Sequence, residues 1–98
     1  MKKLKVIVAD DSSLYRDVLS KAVNGTGMAE VKFVASNGRM VVDFLKKESV
    51  DLVLLDVFMP EMDGIEALKI IKKNYPNIDV IMISSDSIRS AELTVEAL

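Results

Sequence analysis

The chain has 98 residues, of which half are apolar and 29% are charged, and its formal net charge is −2. This length and composition are typical of one globular domain, and the weak net charge gives no indication of a nucleic-acid or membrane surface. The absence of cysteine and histidine excludes disulfides, thiolate or imidazole metal sites, and a Ser-His-Asp triad within the chain. The apolar run after Met1 is interrupted by Lys5 and is too short for a signal peptide or a membrane span. We therefore expect a cytoplasmic protein.

Four short segments rich in Val, Ile and Leu are predicted to be β-strands. They are residues 4–9, 31–35, 51–57 and 78–83. Their apolar residues hardly alternate with polar ones, which indicates strands covered on both faces, as in a parallel sheet.

The segments between and after these strands carry apolar residues at helical spacing. The four apolar faces are formed by Leu14, Val18, Leu19, Ala22 and Val23; by Val41, Phe44 and Leu45; by Ile65, Leu68 and Ile71; and by Ile88, Ala91, Val95 and Leu98. Gly25 is predicted to end the first helix in a left-handed conformation, and Pro76 lies just past the third. The alternation predicts a (βα)₄ unit with parallel strands and right-handed crossovers.

Acidic and hydroxyl side chains follow three of the predicted strands. Residues 10–12 (Asp-Asp-Ser) follow the first strand, Asp56 and the loop 58–64 follow the third, and Ser84 and Ser85 follow the fourth. Open parallel sheets place their functional site outside the carboxyl ends of the strands. We therefore expect these side chains to converge on one edge of the sheet.

Asp56 is a carboxylate within an otherwise apolar segment, residues 53–59. A buried carboxylate is costly without a partner, and the next basic residue is Lys69, well inside the following helix. Proximity to Asp10 and Asp11 would increase the cost of ionising Asp56, because neighbouring carboxylates repel and raise one another's pKa. A divalent cation resolves the conflict, and oxygen ligands without His or Cys favour Mg²⁺ or Mn²⁺. An aspartate beside such a metal can attack phosphorus and form an aspartyl phosphate.

Each of these residues also has a purely structural explanation. Residues 10–12 could cap the first helix, and Ser84 and Ser85 could cap the fourth. Asp63 could cap the third helix, with Gly64 allowing a positive φ. These explanations account for each residue separately but not for their clustering.

Three motifs at these positions resemble the receiver domains of two-component response regulators. They are residues 6–12 (VIVADDS), 54–64 (LLDVFMPEMDG) and 82–85 (MISS), and the resemblance covers essentially the whole chain. It implies an α/β, doubly wound, flavodoxin-like parallel sheet with strand order 2-1-3-4. Residues 1–98 would then form one receiver domain that is incomplete at its C-terminus, without the fifth strand and helix of the family.

The resemblance also implies a role for each site residue. Asp56 would be the phosphoacceptor, with a histidine kinase as phosphoryl donor. Asp11, Asp56 and the main-chain carbonyl of Phe58 would bind Mg²⁺ directly, and Asp10 would bind it through water. Ser84 would be the switch hydroxyl that turns inward to the phosphoryl group.

Within the family, the chain most resembles the receivers of chemotaxis protein-glutamate methylesterases. The shared features are residues 10–16, 35–39 and 94–98 and the Ser84-Ser85 pair. In that subfamily the receiver restrains a C-terminal esterase domain until it is phosphorylated. The resemblance implies that this chain is not itself an enzyme, beyond catalysing its own phosphorylation and dephosphorylation, and that esterase activity would belong to a further domain.

Two departures from the family pattern matter. Phe58 stands two residues after the acceptor, where receivers often carry a polar side chain, and we hypothesise that it shields the phosphoryl group from water. The sequence ends at Leu98, without the lysine and the aromatic residue that receivers carry on a fifth strand. The fourth strand would then be an open edge, so we expect self-association through that edge.

Three functions follow as hypotheses. The first is a signalling switch phosphorylated on Asp56. The second is a metal-dependent phosphatase, which the sequence disfavours because Phe58 occupies the position where such enzymes carry a general acid. The third is a receiver fragment with an intact acidic site and little phosphotransfer activity, serving as a folding or assembly unit.

Overall fold

The computed structural model describes residues 2–83, so the predicted fourth helix, Ser84 and Ser85 lie outside the described residues. Strands and helices alternate along the described part of the chain. They are β1 (Leu4–Ala9), α1 (Ser13–Gly25), β2 (Ala29–Ala35), α2 (Gly38–Leu45), β3 (Leu52–Asp56), α3 (Gly64–Asn74) and β4 (Asp79–Ile83). The predicted strands and the first three helices are confirmed, with differences of one or two residues at the strand ends.

The four strands form one parallel sheet in the order β2-β1-β3-β4. β1 is therefore a central strand, and Val8 lies beside Val34 on one side and beside Leu54 on the other. β3 is the second central strand, with Leu55 beside Met82 of β4. The predicted strand order and the flavodoxin-like fold are confirmed.

The larger part of the core lies between the sheet and the helices α2 and α3. Ile7, Val53 and Leu55 point to this side of the sheet and are fully buried. Val41 of α2 and Ile71 of α3 complete the packing from the helical side. Burial of each such side chain stabilises the fold by about 1.5–3 kcal/mol, so this layer fixes β1 and β3 side by side.

A smaller cluster lies on the opposite face, beneath α1. It contains Val6, Val8 and Leu54 from the sheet, against which Leu19 and Val23 of α1 pack. Successive residues of a strand point to opposite faces, so β1 and β3 contribute to both clusters. This explains the continuous apolar pattern of these two segments.

Two details of the structure differ from the sequence interpretation. β2 is an edge strand, and its alternating burial leaves Glu30, Lys32 and Val34 exposed, so it is not covered on both faces. On α1, Leu14 and Val18 are 67% and 51% exposed, although they share the apolar stripe of that helix. The sheet covers only part of the apolar stripe of α1, and these two side chains lie on the uncovered part.

The C-terminal end of α1 also differs from the prediction. Gly25 is still helical, and the glycine with a positive φ is Gly27, at 70°. Thr26 lies between them and its hydroxyl donates to the carbonyl of Val23 at 2.8 Å. The helix therefore ends through a threonine turn followed by a left-handed glycine. Within residues 2–83, every helix is too short or too polar to cross a lipid bilayer.

Candidate functional site

The carboxyl ends of the two central strands carry the acidic residues. Asp10 and Asp11 directly follow β1, and Asp56 is the last residue of β3. Ala9 lies beside Leu55 in the parallel pairing of these strands, which brings the two strand ends together. One carboxylate oxygen from each aspartate lies within 4.8 Å of the others. The structure thus brings together the three carboxylates that the sequence placed at this edge.

The three aspartates differ in their exposure to solvent. Asp10 and Asp56 are buried, at 1% and 3% exposure, whereas Asp11 is exposed. The candidate site therefore has a buried floor and one acidic group at its rim. A cation or a phosphoryl donor can approach it past Asp11.

A network of short-range hydrogen bonds holds the turn between β1 and α1. The carboxylate oxygen Oδ1 of Asp10 accepts from the Ser12 amide at 2.9 Å. Ser12 in turn caps α1, because its hydroxyl accepts from the Tyr15 amide at 3.4 Å. Capping of this helix therefore belongs to Ser12 and does not explain the two aspartates before it.

The second carboxylate oxygen of Asp10, Oδ2, is buried and has no hydrogen-bond partner. A buried charged oxygen without a partner is costly, and such a group calls for a ligand or a proton. Asp10 is one of the three aspartates of the cluster, together with Asp11 and Asp56. This orphaned oxygen is a second observation, besides the clustering, that points to a bound cation.

The electrostatic environment of Asp56 favours its protonated form. Burial raises the pKa of Asp56 to about 7, and the nearby charges of Asp10 and Asp11 add to the effect. Hydrogen bonds from the main-chain amides of Val57 and Phe58 oppose it. The like-charge conflict expected from the sequence is therefore present, although burial is its largest cause.

The pKa of Asp10 is also raised, and burial is again the first cause. The amide of Ser12 opposes the increase, the charge of Asp11 adds to it, and the charge of Arg16 lowers it. Two buried carboxyls with raised pKa values share one site, so a divalent cation would relieve the strain in both.

The donor set fits Mg²⁺ or Mn²⁺. It consists of carboxylate oxygens, which are hard ligands, and two of them belong to buried residues. Mg²⁺ commonly uses one or two carboxylates and keeps several waters, which leaves positions for a phosphoryl oxygen. Asp10, Asp11 and Asp56 are the residues that would hold it.

The loop between β3 and α3 is held at both ends by close backbone contacts. Gly64 donates its N–H to the Val57 carbonyl at 2.9 Å, and a Cβ on Gly64 would overlap the main-chain oxygen of Asp56. The alternative explanation, in which Gly64 supplies a positive φ to an ordinary loop, is wrong. The loop residue with φ in the left-handed region is Glu61, at 64°, and a glycine is required at position 64 for the close backbone approach instead.

Asp63 caps α3, its Oδ1 accepting from the Glu66 amide at 2.9 Å.

A second contact joins this loop to α2. The amide of Gly38, the first residue of α2, donates to the Met62 carbonyl at 2.8 Å, and a side chain on Gly38 would collide with Met62. Met59 and Met62 are buried, so the loop is anchored by packing as well. Phe58 lies at the start of the loop and is 41% exposed. Sequence reasoning identified Gly38 only as part of a turn and missed this contact.

Arg16 is another residue that sequence reasoning missed. Its guanidinium Nη1 donates to the main-chain carbonyl of Asp10 at 2.7 Å, which places a cation beside the acidic cluster. The available signal was an arginine close to the start of α1, six positions after Asp10. Ser84, the predicted switch hydroxyl, lies outside the described residues.

Comparison with known proteins identifies the family. The profile described as "Response regulator receiver domain" matches residues 6–98. The chain belongs to the response regulator receiver family.

This receiver is similar to parts of longer proteins. It is 41% identical to a protein-glutamate methylesterase/protein-glutamine glutaminase of Pyrococcus horikoshii, over 99% of this chain but 26% of that protein. A relative of the same name from Treponema denticola is 36% identical over the whole of this chain and 26% of its own length. The receiver thus spans about a quarter of the curated relatives that it matches.

Solved structures show the same likeness. The response regulator domain of Thermotoga maritima CheB is 35% identical, with a TM-score of 0.85, over 98% of this chain and 71% of that one. A CheX-CheY-BeF₃-Mg²⁺ complex from Borrelia burgdorferi is 28% identical, with a TM-score of 0.80, over 96% of this chain and 72% of that one. The resemblance to methylesterase receivers that the motifs predicted is confirmed.

Proposed function

We propose that this receiver accepts a phosphoryl group on Asp56 from a histidine kinase, as a module of two-component, chemotaxis-type signalling, with Mg²⁺ held by the acidic cluster. The observation that carries the proposal is the juxtaposition of buried Asp56 with Asp10 and Asp11: one carboxylate oxygen from each of the three lies within 4.8 Å of the others. Family membership supplies the reaction class, and the cluster supplies the chemistry for it.

Asp56 is the best placed of the three carboxylates to act as the nucleophile. Asp10 has one oxygen committed to the Ser12 amide, and Asp11 is exposed at the rim. Asp56 is buried at the end of a central strand, and its backbone is held by the adjacent start of α3. Burial and the charges of Asp10 and Asp11 raise its pKa to about 7, and a bound divalent cation would favour the ionised form that attacks phosphorus.

The reaction is a transfer between two nucleophiles. An oxygen of Asp56 forms a bond to phosphorus as the bond between phosphorus and the donor's imidazole nitrogen breaks, and that nitrogen keeps the electron pair. Bound Mg²⁺ would neutralise charge on the phosphoryl oxygens. Asp11, Asp56 and the Phe58 carbonyl are proposed as direct ligands, Asp10 as a ligand through water, and Ser84 as the hydroxyl that binds the phosphoryl group.

The relatives support the proposal indirectly. The Borrelia burgdorferi CheY complex was solved with BeF₃ and Mg²⁺, and its fold superposes on this chain with a TM-score of 0.80. The methylesterase relatives are about four times as long as this chain. We propose that this receiver regulates a C-terminal effector domain of that kind, in which any esterase activity would lie.

Phosphorylation by a small donor tests the proposal. The chain is incubated with acetyl phosphate and Mg²⁺, and its intact mass is measured. We expect a gain of one phosphoryl group that is absent in Asp56→Asn and present in the matched control Asp43→Asn, whose carboxylate is exposed on α2. Hydrolysis of the donor without an adduct would support a phosphatase instead, and no reaction would support an idle receiver fragment.

A further inference from the structure

Arg16 holds the main chain at the start of the acidic site. It is the fourth residue of α1 and is partly buried. Its side chain reaches back to the Asp10 carbonyl at 2.7 Å, while its own amide donates to the Ser12 carbonyl at 3.0 Å. The side-chain bond joins α1 to the residue that follows β1, and the amide bond is the first hydrogen bond of the helix.

The location of Arg16 runs against the usual preference of helices. The N-terminus of a helix carries partial positive charge, so a cation there is unfavourable and an acid is favoured. α1 has no acid in its first turn, and Arg16 lies directly after that turn. Helix propensity and dipole therefore do not explain an arginine here, whereas the hydrogen bond to Asp10 does.

The contact fixes the peptide between Asp10 and Asp11. The Asp10 amide donates to the Ala35 carbonyl of β2 at 3.0 Å, and the Asp10 carbonyl accepts from Arg16. With both main-chain groups of Asp10 held, the direction in which the chain continues into Asp11 is set. Arg16 achieves this without engaging the carboxylate, because Oδ1 of Asp10 bonds to Ser12 and Oδ2 has no partner.

We propose that Arg16 is a positioning residue for the metal site, whose guanidinium orients the Asp10–Asp11 peptide so that both carboxylates face Asp56. The inference rests on the proposed Mg²⁺ site. Arg16 acts through the main chain and leaves the carboxylate oxygens to the cation.

Charge and geometry predict opposite effects of removing this side chain. A positive charge near the site repels Mg²⁺, so its loss alone would tighten metal binding. Loss of the hydrogen bond frees the turn that carries two of the three carboxylates, which would weaken binding. The sign of the change therefore separates positioning from a simple charge effect.

Titration of Mg²⁺ into the 98-residue chain by calorimetry, at one fixed pH for all variants, tests the inference. The variants are Arg16→Met, which removes donor and charge, and Lys21→Met as a control that removes an exposed charge from the same helix. We expect Arg16→Met to raise the Mg²⁺ dissociation constant about tenfold or more, the range seen for groups that orient metal ligands, and Lys21→Met to leave it unchanged.

Unchanged or tighter binding by folded Arg16→Met overturns the inference, even if its melting temperature falls, because that pattern indicates a purely structural role. Where Arg16→Met does not fold, Arg16→Lys decides. Lysine keeps the charge, but its ammonium ends one bond short of the Nη1 that donates to the Asp10 carbonyl, so weaker binding supports positioning and unchanged binding contradicts it. A wild-type chain that does not bind Mg²⁺ would overturn the metal site itself and this inference with it.

Discussion

The backbone of Gly64, at the start of α3, lies directly against the main-chain carbonyl of Asp56, at the end of β3. A Cβ at position 64 would overlap that oxygen, and the Gly64 amide donates to the neighbouring Val57 carbonyl at 2.9 Å. The helix start and the strand end that carries the acceptor therefore form one rigid backbone unit.

Substituting Gly64 by alanine should disturb this unit. We expect Gly64→Ala to lower the free energy of unfolding by about 1–3 kcal/mol, because the methyl group forces the helix start away from the strand. Gly25→Ala is the matched control, since its Cβ would meet nothing within 4 Å and alanine favours a helix. Urea unfolding of both variants measures the difference, and equal stabilities would contradict the close contact.

The raised pKa of Asp56 predicts a dependence of stability on pH in the metal-free domain. The unfolded carboxyl titrates near 3.8 and the folded one near 7, so the folded state binds more protons between these values. Stability should therefore fall by a few kcal/mol as the pH rises from about 4 through 7, the opposite of an ion-paired aspartate. Unfolding in urea with a chelator present measures this, and Asp56→Asn should flatten the dependence.

Removal of the Asp10 charge should have opposite effects on the stability of the metal-free domain and on its affinity for Mg²⁺. We expect Asp10→Asn to stabilise the metal-free domain by about 1 kcal/mol or more near pH 8, because a buried charge without a partner is removed. The same variant should bind Mg²⁺ more weakly. Melting temperatures with and without Mg²⁺ measure both effects. A destabilised metal-free variant would show that the orphaned oxygen is not a source of strain.

Phe58 should slow the loss of the phosphoryl group. It is 41% exposed and two residues from Asp56, so its ring can restrict water near the acceptor without contributing to the core. We expect Phe58→Glu to lose the phosphoryl group several-fold faster after acetyl phosphate is removed, as measured by intact mass over time. Met28→Glu, at another exposed apolar position, serves as the control. Identical rates would remove the shielding hypothesis.

Self-association through β4 stays a prediction. Among the described residues β4 forms one edge of the sheet, and Ile81 on it is 47% exposed. An edge strand with an exposed apolar side chain can pair with another chain. We expect light scattering to give a mass above one chain at working concentration, and Ile81→Lys to reduce it. A monomeric wild-type mass would contradict the prediction.

The sheet and the acidic cluster were predictable because they depend on the order of apolar and acidic residues along the sequence. The unbroken apolar runs around Val8 and Leu54 indicate central parallel strands, and parallel strands bring their carboxyl ends together. Asp10 and Asp56 follow such runs, so their proximity could be inferred before any side chain was placed.

The missed features depend on distances that a linear pattern does not contain. Gly64 was identified as a glycine with a role in the loop. The sequence, however, does not distinguish a glycine that adopts a positive φ from one that allows a close backbone approach. Helical spacing put Leu14 on an apolar stripe without showing how far the sheet extends beneath it. The contact of Arg16 with Asp10 requires the reach of a long side chain across the strand–helix turn.

The hydrogen bond from Gly38 to Met62 has a consequence for how the domain opens. Because the first amide of α2 is bonded to the loop that follows Asp56, that amide can exchange with deuterium only when the loop lifts or the helix frays. Its exchange rate would therefore report opening of the loop directly. A cation that tightens the acidic edge should slow exchange at Gly38, whose amide is bonded to Met62 and not to a proposed ligand of that cation.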